Sequence, residues 1–139
     1  LKKHTLLIFF LSISISLFSQ TKWSETFSTS SYQNKIIEDN KRDVEYNVFG
    51  DFEINYYVYE SEKTHGYVNI NSESDSKRYK LVEGSFNKVL DKNGKTLYLD
   101  FMAKADHLKS SVSVNIWGDS VNLSYILPSG QMIIEVYKK

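Results

Sequence analysis

The chain has 139 residues, balances 17 Lys+Arg against 17 Asp+Glu, and contains no cysteine. The cysteine count excludes disulfide stapling, thiolate metal sites and thiol catalysis. The charge balance, with no basic block longer than Lys41-Arg42, argues against binding a phosphate backbone, which needs clustered cations.

The first segment, Leu1 to Ser19, reads as a secretory leader. Lys2, Lys3 and His4 form a basic start, Leu6 to Phe18 is almost wholly apolar, and Ser19 is a small residue before the cut. The apolar run is shorter than the roughly 20 residues a membrane-crossing helix needs, and no cysteine is present to carry a lipid. The expectation is therefore cleavage, no stable membrane anchor, and a product that is periplasmic or extracellular. Removing 19 residues leaves 120, the size of one domain, with 15 Lys+Arg against 17 Asp+Glu. Without disulfides, that exported domain must be held by packing, for which its tyrosines, phenylalanines and two tryptophans supply material.

Residues 24–42 carry the weakest pattern. Trp23 and Phe27 suit a short first strand, while Tyr32, Ile36 and Ile37 with their polar neighbours predict a possible short amphipathic helix near residues 30–41. From Asp43 onward, period-two alternation punctuated by Gly, Asn and Asp predicts antiparallel strands and hairpins. Val44, Tyr46 and Val48 form one alternating set, and Phe52, Ile54, Tyr56 and Val58 form the next. Gly50-Asp51 between them suits a two-residue type II′ turn.

The next predicted strand is Gly66 to Ser72, flanked by polar loops over Glu60 to Thr64 and Asn71 to Lys77. Arg78 to Leu90 follows, with Gly84 marking a bulge or bend. Asp91-Lys92-Asn93-Gly94 reads as a turn into Lys95 to Lys104. Gly118-Asp119 repeats the II′ signal between Val112/Val114/Ile116 and Val121/Leu123/Tyr125. After Pro128-Ser129-Gly130, Met132, Ile134 and Val136 form the last apolar alternation. About eight strands joined by short hairpins predict an all-β meander closed as a small barrel or a two-layer sandwich, either of which limits exposed edges.

The functional signal is aromatic. Tyr57, Tyr59, Tyr67, Tyr98 and Trp117 all fall out of phase with the apolar alternation of their own strands, so they should face outward. If those strands are neighbours, the rings form a patch able to stack on an amphipathic small ligand or to anchor a protein partner. Tyr and Trp also cover half-exposed sheet faces for reasons of β-propensity alone. The expected role is a non-enzymatic binding domain, acting through this face or through the barrel mouth.

The alternative is a hydrolase or metal-dependent enzyme using His65 and His107, or the carboxylates Glu53 and Asp100 as a pair. The two histidines lack a third ligand at zinc-site spacing, and both carboxylates alternate with core residues and should point outward. Asp91 to Gly94 resembles the start of a calcium loop, but position twelve is Met102 rather than an acid. The sequence therefore calls for no metal, no cofactor and no nucleic-acid partner.

Overall fold

The computed structural model describes residues 21–38 and 43–139. The leader expected over residues 1–19 lies outside them. Nine strands are present among the described residues: β1 (Thr21–Ile37), β2 (Val44–Glu60), β3 (His65–Ser72), β4 (Ser76–Leu81), β5 (Asn87–Leu90), β6 (Thr96–Lys104), β7 (Val112–Trp117), β8 (Ser120–Ile126) and β9 (Met132–Lys138). All pairings are antiparallel, in the order β4-β3-β2-β1-β9-β8-β7-β6-β5, and a further β4–β6 pairing closes the sheet. Eight strands thus form a barrel, and β5 is extra, lying beyond β4 along the same edge of β6. Of the two closures expected for the all-β meander, a small barrel or a two-layer sandwich, the barrel is the observed fold.

Alternation places one residue in two of each strand inside. Ile54, Tyr56, Val58, Val68, Ile70, Tyr79, Leu81, Leu99, Phe101, Ala103, Val112, Val114, Ile116, Val121, Leu123 and Tyr137 belong to one buried cluster. Tyr79 and Phe101 are the bulkiest of its fully buried side chains, each 1% exposed. Trp23, Phe27, Tyr32 and Phe52 pack on this cluster from β1 and β2.

Several local expectations change. The helix near residues 30–41 is absent as far as that stretch is described, because β1 runs to Ile37. Residues 33–36 pair with β2 on one side and residues 33–37 with β9 on the other, so their backbone groups are satisfied by two ladders that an isolated helical turn cannot match. Gly50-Asp51 is not a turn either. Both residues lie within the 17-residue β2, where the register jumps from Ser31↔Phe49 to Thr29↔Phe52, a β-bulge opposite Ser30. Gly50, at φ 159°, is close to extended. The long neighbour β1 keeps offering ladder bonds, so β2 continues past the glycine.

Arg78 to Leu90 is two strands. The break carries Gly84 at φ 80°, and Ser85 fixes it: its hydroxyl donates to the Val82 carbonyl (2.6 Å) and accepts from the Met102 N–H (3.1 Å). Gly118-Asp119 does link β7 to β8, but Gly118 lacks the positive φ that a II′ turn requires. The phase of β9 is reversed: Ile133, Glu135 and Tyr137 face inward, while Met132 is exposed. Ile133-Ile134 serves either phase equally, and a ring contact decides it, since Tyr137 packs on Tyr32 at 4.7 Å.

The β1–β2 pairing is longer than the rest of the wall. Among the described residues, β9 reaches only residues 33–37 of β1, and β3 reaches only residues 52–59 of β2. The first half of β1 and the first part of β2 therefore each keep one edge without a strand partner among the described residues.

Candidate functional site

Cross-strand register arranges the outer wall over β1–β4 and β6 in rows. One row runs Lys22, Tyr59, His65, and the next runs Ser24, Tyr57, Tyr67, Lys80, Lys104. A third runs Thr26, Asn55, Asn69, Arg78. The third row is stitched by side chains: Asn55 Nδ2 donates to Thr26 Oγ1 (2.8 Å), Asn69 Nδ2 to Asn55 Oδ1 (3.4 Å), and Arg78 Nε to Asn69 Oδ1 (2.8 Å). These bonds hold Arg78 over the Tyr67 ring, 4.4 Å from its centroid.

The tyrosines above that row lie nearly parallel. Tyr57 and Tyr59 are 6.4 Å apart at 8°, and Tyr57 and Tyr67 are 5.9 Å apart at 23°. His65 packs on both Tyr57 (6.1 Å) and Tyr59 (5.3 Å), and Lys22 Nζ sits 5.8 Å from the Tyr57 centroid. All three tyrosine side chains are half-buried, leaving ring surface open to solvent. The three rows contain no carboxylate; Glu53 lies in the next row, between Ser28 and Asn71.

Tyr98 and Trp117 form a separate pair on β6 and β7, stacked at 4.2 Å and 26°. The five predicted aromatic residues are therefore two outward groups, not one patch. The cations among and beside the tyrosines, Lys22, Arg78, Lys80 and Lys104, carried no signal in the sequence, because only the register brings them together.

The residues of the enzymatic alternative do not converge. His65 belongs to the outer tyrosine group, whereas His107 follows β6 and meets Tyr79, with Nε2 3.5 Å from the hydroxyl. Burial, and secondarily Lys77, lowers the His107 pKa. Beside it, Asp75, Ser76, Lys77, Arg78 and Asp106 complete a pocket of about 210 Å³. Glu53 and Asp100 lie on β2 and β6, which are not neighbours, and Asp100 accepts from Asn115 Nδ2 at 2.9 Å. Among the described residues, no group of three or more His, Cys, Asp or Glu could hold a metal ion.

A second polar feature lies inside the barrel. Glu135 is 5% exposed, and burial raises its pKa against the opposing effects of Lys77 and a hydrogen bond from Tyr125. Asn34 is its cross-strand partner on β1. Glu135 Oε2 and Asn34 Oδ1 are both buried and have no hydrogen-bond partner among the described residues, while Asn34 Nδ2 donates to the Tyr46 hydroxyl at 3.2 Å. The β9 alternation hid this residue, since a carboxylate between Ile134 and Val136 reads as solvent-facing.

With the geometry in place, the class of protein is a small antiparallel β-barrel carrying a stacked aromatic and cationic outer face. Comparison found no matching family model, no matching curated protein and no matching solved structure.

Proposed function

We propose that this chain is an exported, non-enzymatic binding domain whose barrel is a rigid support and whose ligand is engaged on the outer wall around Tyr57, Tyr59 and Tyr67. The observation that carries this reading is the set of three near-parallel, half-exposed rings flanked by Arg78 and Lys22. Aromatic rings on a strand-borne surface offer large contact area with few torsions to freeze, which favours recognition. The barrel mouth is a weaker candidate because Tyr79, Phe101, Leu123 and their neighbours occupy the interior as one packed cluster. Tyr98 and Trp117 form a second, smaller contact surface on the same wall.

The test compares the unmodified protein with Tyr57→Ala/Tyr67→Ala on an immobilised array of oligosaccharides, peptides and lipids, with circular dichroism confirming that both are folded. At least one class should be retained by the unmodified protein and lost by the variant. Retention of nothing, or equal retention by both, refutes the assignment.

A further inference from the structure

The outer rows combine two recognition chemistries in one place. The rings of Tyr57, Tyr59 and Tyr67 give flat apolar contact, and Arg78, Lys80 and Lys104 stand at the same side of them. Lys80 and Lys104 are exposed, directly paired, and without an ion-pair partner among the described residues. Two like charges held side by side on neighbouring strands repel each other, which costs stability unless something anionic lies across them. Arg78 uses Nε on Asn69, and its remaining N–H donors make no hydrogen bond among the described residues, which leaves them for a planar anion.

The dimensions suit an extended ligand. At about 4.8 Å between strands and about 3.3 Å per residue along them, the three rows cover roughly 19 by 13 Å. A ligand lying along the middle row meets ring faces first and cations last, with the Thr26, Asn55 and Asn69 groups alongside for hydroxyls. We propose that this face binds an acidic polysaccharide, a chain of sugar rings bearing carboxylate or sulfate groups. The proposal rests on the outer wall being the binding face and specifies what it takes. Sugar rings stack on tyrosine, their hydroxyls meet the amide row, and an acidic substituent reaches Arg78, Lys80 and Lys104. A nucleic acid fits less well, because its denser charge needs cations along the whole track, and here Arg78, Lys80 and Lys104 gather at one side of an aromatic platform with Lys22 alone at the other.

The experiment is binding of the protein, purified as cells produce it, to a polyuronate, a sulfated glycan, a neutral glucan of equal length and single-stranded DNA, by calorimetry at 50 and 200 mM salt. Carboxylate or sulfate polymer should bind, about fivefold more weakly at the higher salt. Lys80→Ser/Lys104→Ser should lose about tenfold toward the acidic polymer and nothing toward neutral glucan. Tyr57→Ala should lose about tenfold toward whichever sugar polymer binds, by analogy with other ring-stacking contacts. The polyuronate and sulfated arms decide which acid group is preferred.

Neutral glucan bound as tightly as both acidic glycans overturns the acidic class while leaving the face assignment standing. DNA bound more tightly than both acidic glycans overturns the polysaccharide class. Acidic-polymer binding unchanged in Tyr57→Ala overturns the placing of the acidic polymer on this face, and no binding to any of the four polymers overturns the proposal altogether. The face itself falls only on the Tyr57→Ala/Tyr67→Ala array comparison.

Discussion

Glu135→Gln is the sharpest perturbation this barrel offers. Glu135 is 5% exposed with Oε2 unpartnered among the described residues, and its cross-strand neighbour Asn34 presents a second buried acceptor, Oδ1. A proton on Oε2 turns that acceptor into a donor on the strand paired with Asn34. Burial raises the Glu135 pKa in the folded protein, so its contribution to stability is complete below the unfolded value and lost as pH rises through the folded one. Glutamine supplies a permanent N–H donor at the same place. A buried acceptor left without a partner costs about 1–3 kcal/mol, and each kcal/mol is about 3–6 °C in Tm for a domain of this size. Thermal unfolding followed by circular dichroism should show Glu135→Gln more stable by that amount at pH 8–9, with the gap closing toward pH 4. Glu25, whose pKa is lowered, and His107, lowered by burial, are common to both proteins and cancel in the difference. Parallel Tm–pH curves for the two proteins would refute the reasoning.

Other outcomes follow from particular contacts. In Gly66→Ala the new Cβ would lie 2.3 Å from the Tyr57 carbonyl oxygen and 2.9 Å from Val58 Cα, both backbone; the pairing of β3 with β2 must shift, and urea unfolding should show a loss of about 3 kcal/mol. Phe101→Ala removes a ring that is 1% exposed and should cost about 3–5 kcal/mol by the same assay. Glu25 accepts from Lys139 Nζ (2.6 Å) and the Tyr56 hydroxyl (3.0 Å), and the Lys139 bond leads in lowering its pKa. That stability is present above the ordinary carboxylate pKa and lost on acidification, so the Tm gap between the unmodified protein and Glu25→Gln should shrink from pH 6 to pH 3. The gap corresponds to about 1 kcal/mol or less at this half-exposed pair.

The antiparallel strands were legible because most obey strict alternation: Leu99, Phe101 and Ala103, or Val112, Val114 and Ile116, admit one phase only; closure as a barrel instead of a sandwich rests on the β1–β9 and β4–β6 pairings, which alternation does not encode. Where both phases are apolar, as at Ile133-Ile134, or where a strand is mostly polar, as in Ser28 to Lys35, the choice depends on neighbours far away in sequence. Gly50-Asp51 carried genuine turn chemistry, and the competing ladder of β1 overrode it. The candidate site shows the same division. Outward tyrosines follow from alternation within a strand, whereas the company of Arg78, Lys80 and Lys104 follows from register, to which local pattern is blind.

The pairing of β1 with β9 joins residues about a hundred positions apart, Gln33 with Val136 and Ile37 with Met132. Loop closure on that scale makes the final seam the slowest part of assembly to nucleate. Until β9 is available, β8 and the second half of β1 face the solvent as raw borders, and the wall is a curled sheet instead of a ring. A chain that emerges from its N-terminal side first stays unsealed for nearly its whole emergence, so loss of the last strand would remove a clasp and leave two adhesive margins exposed.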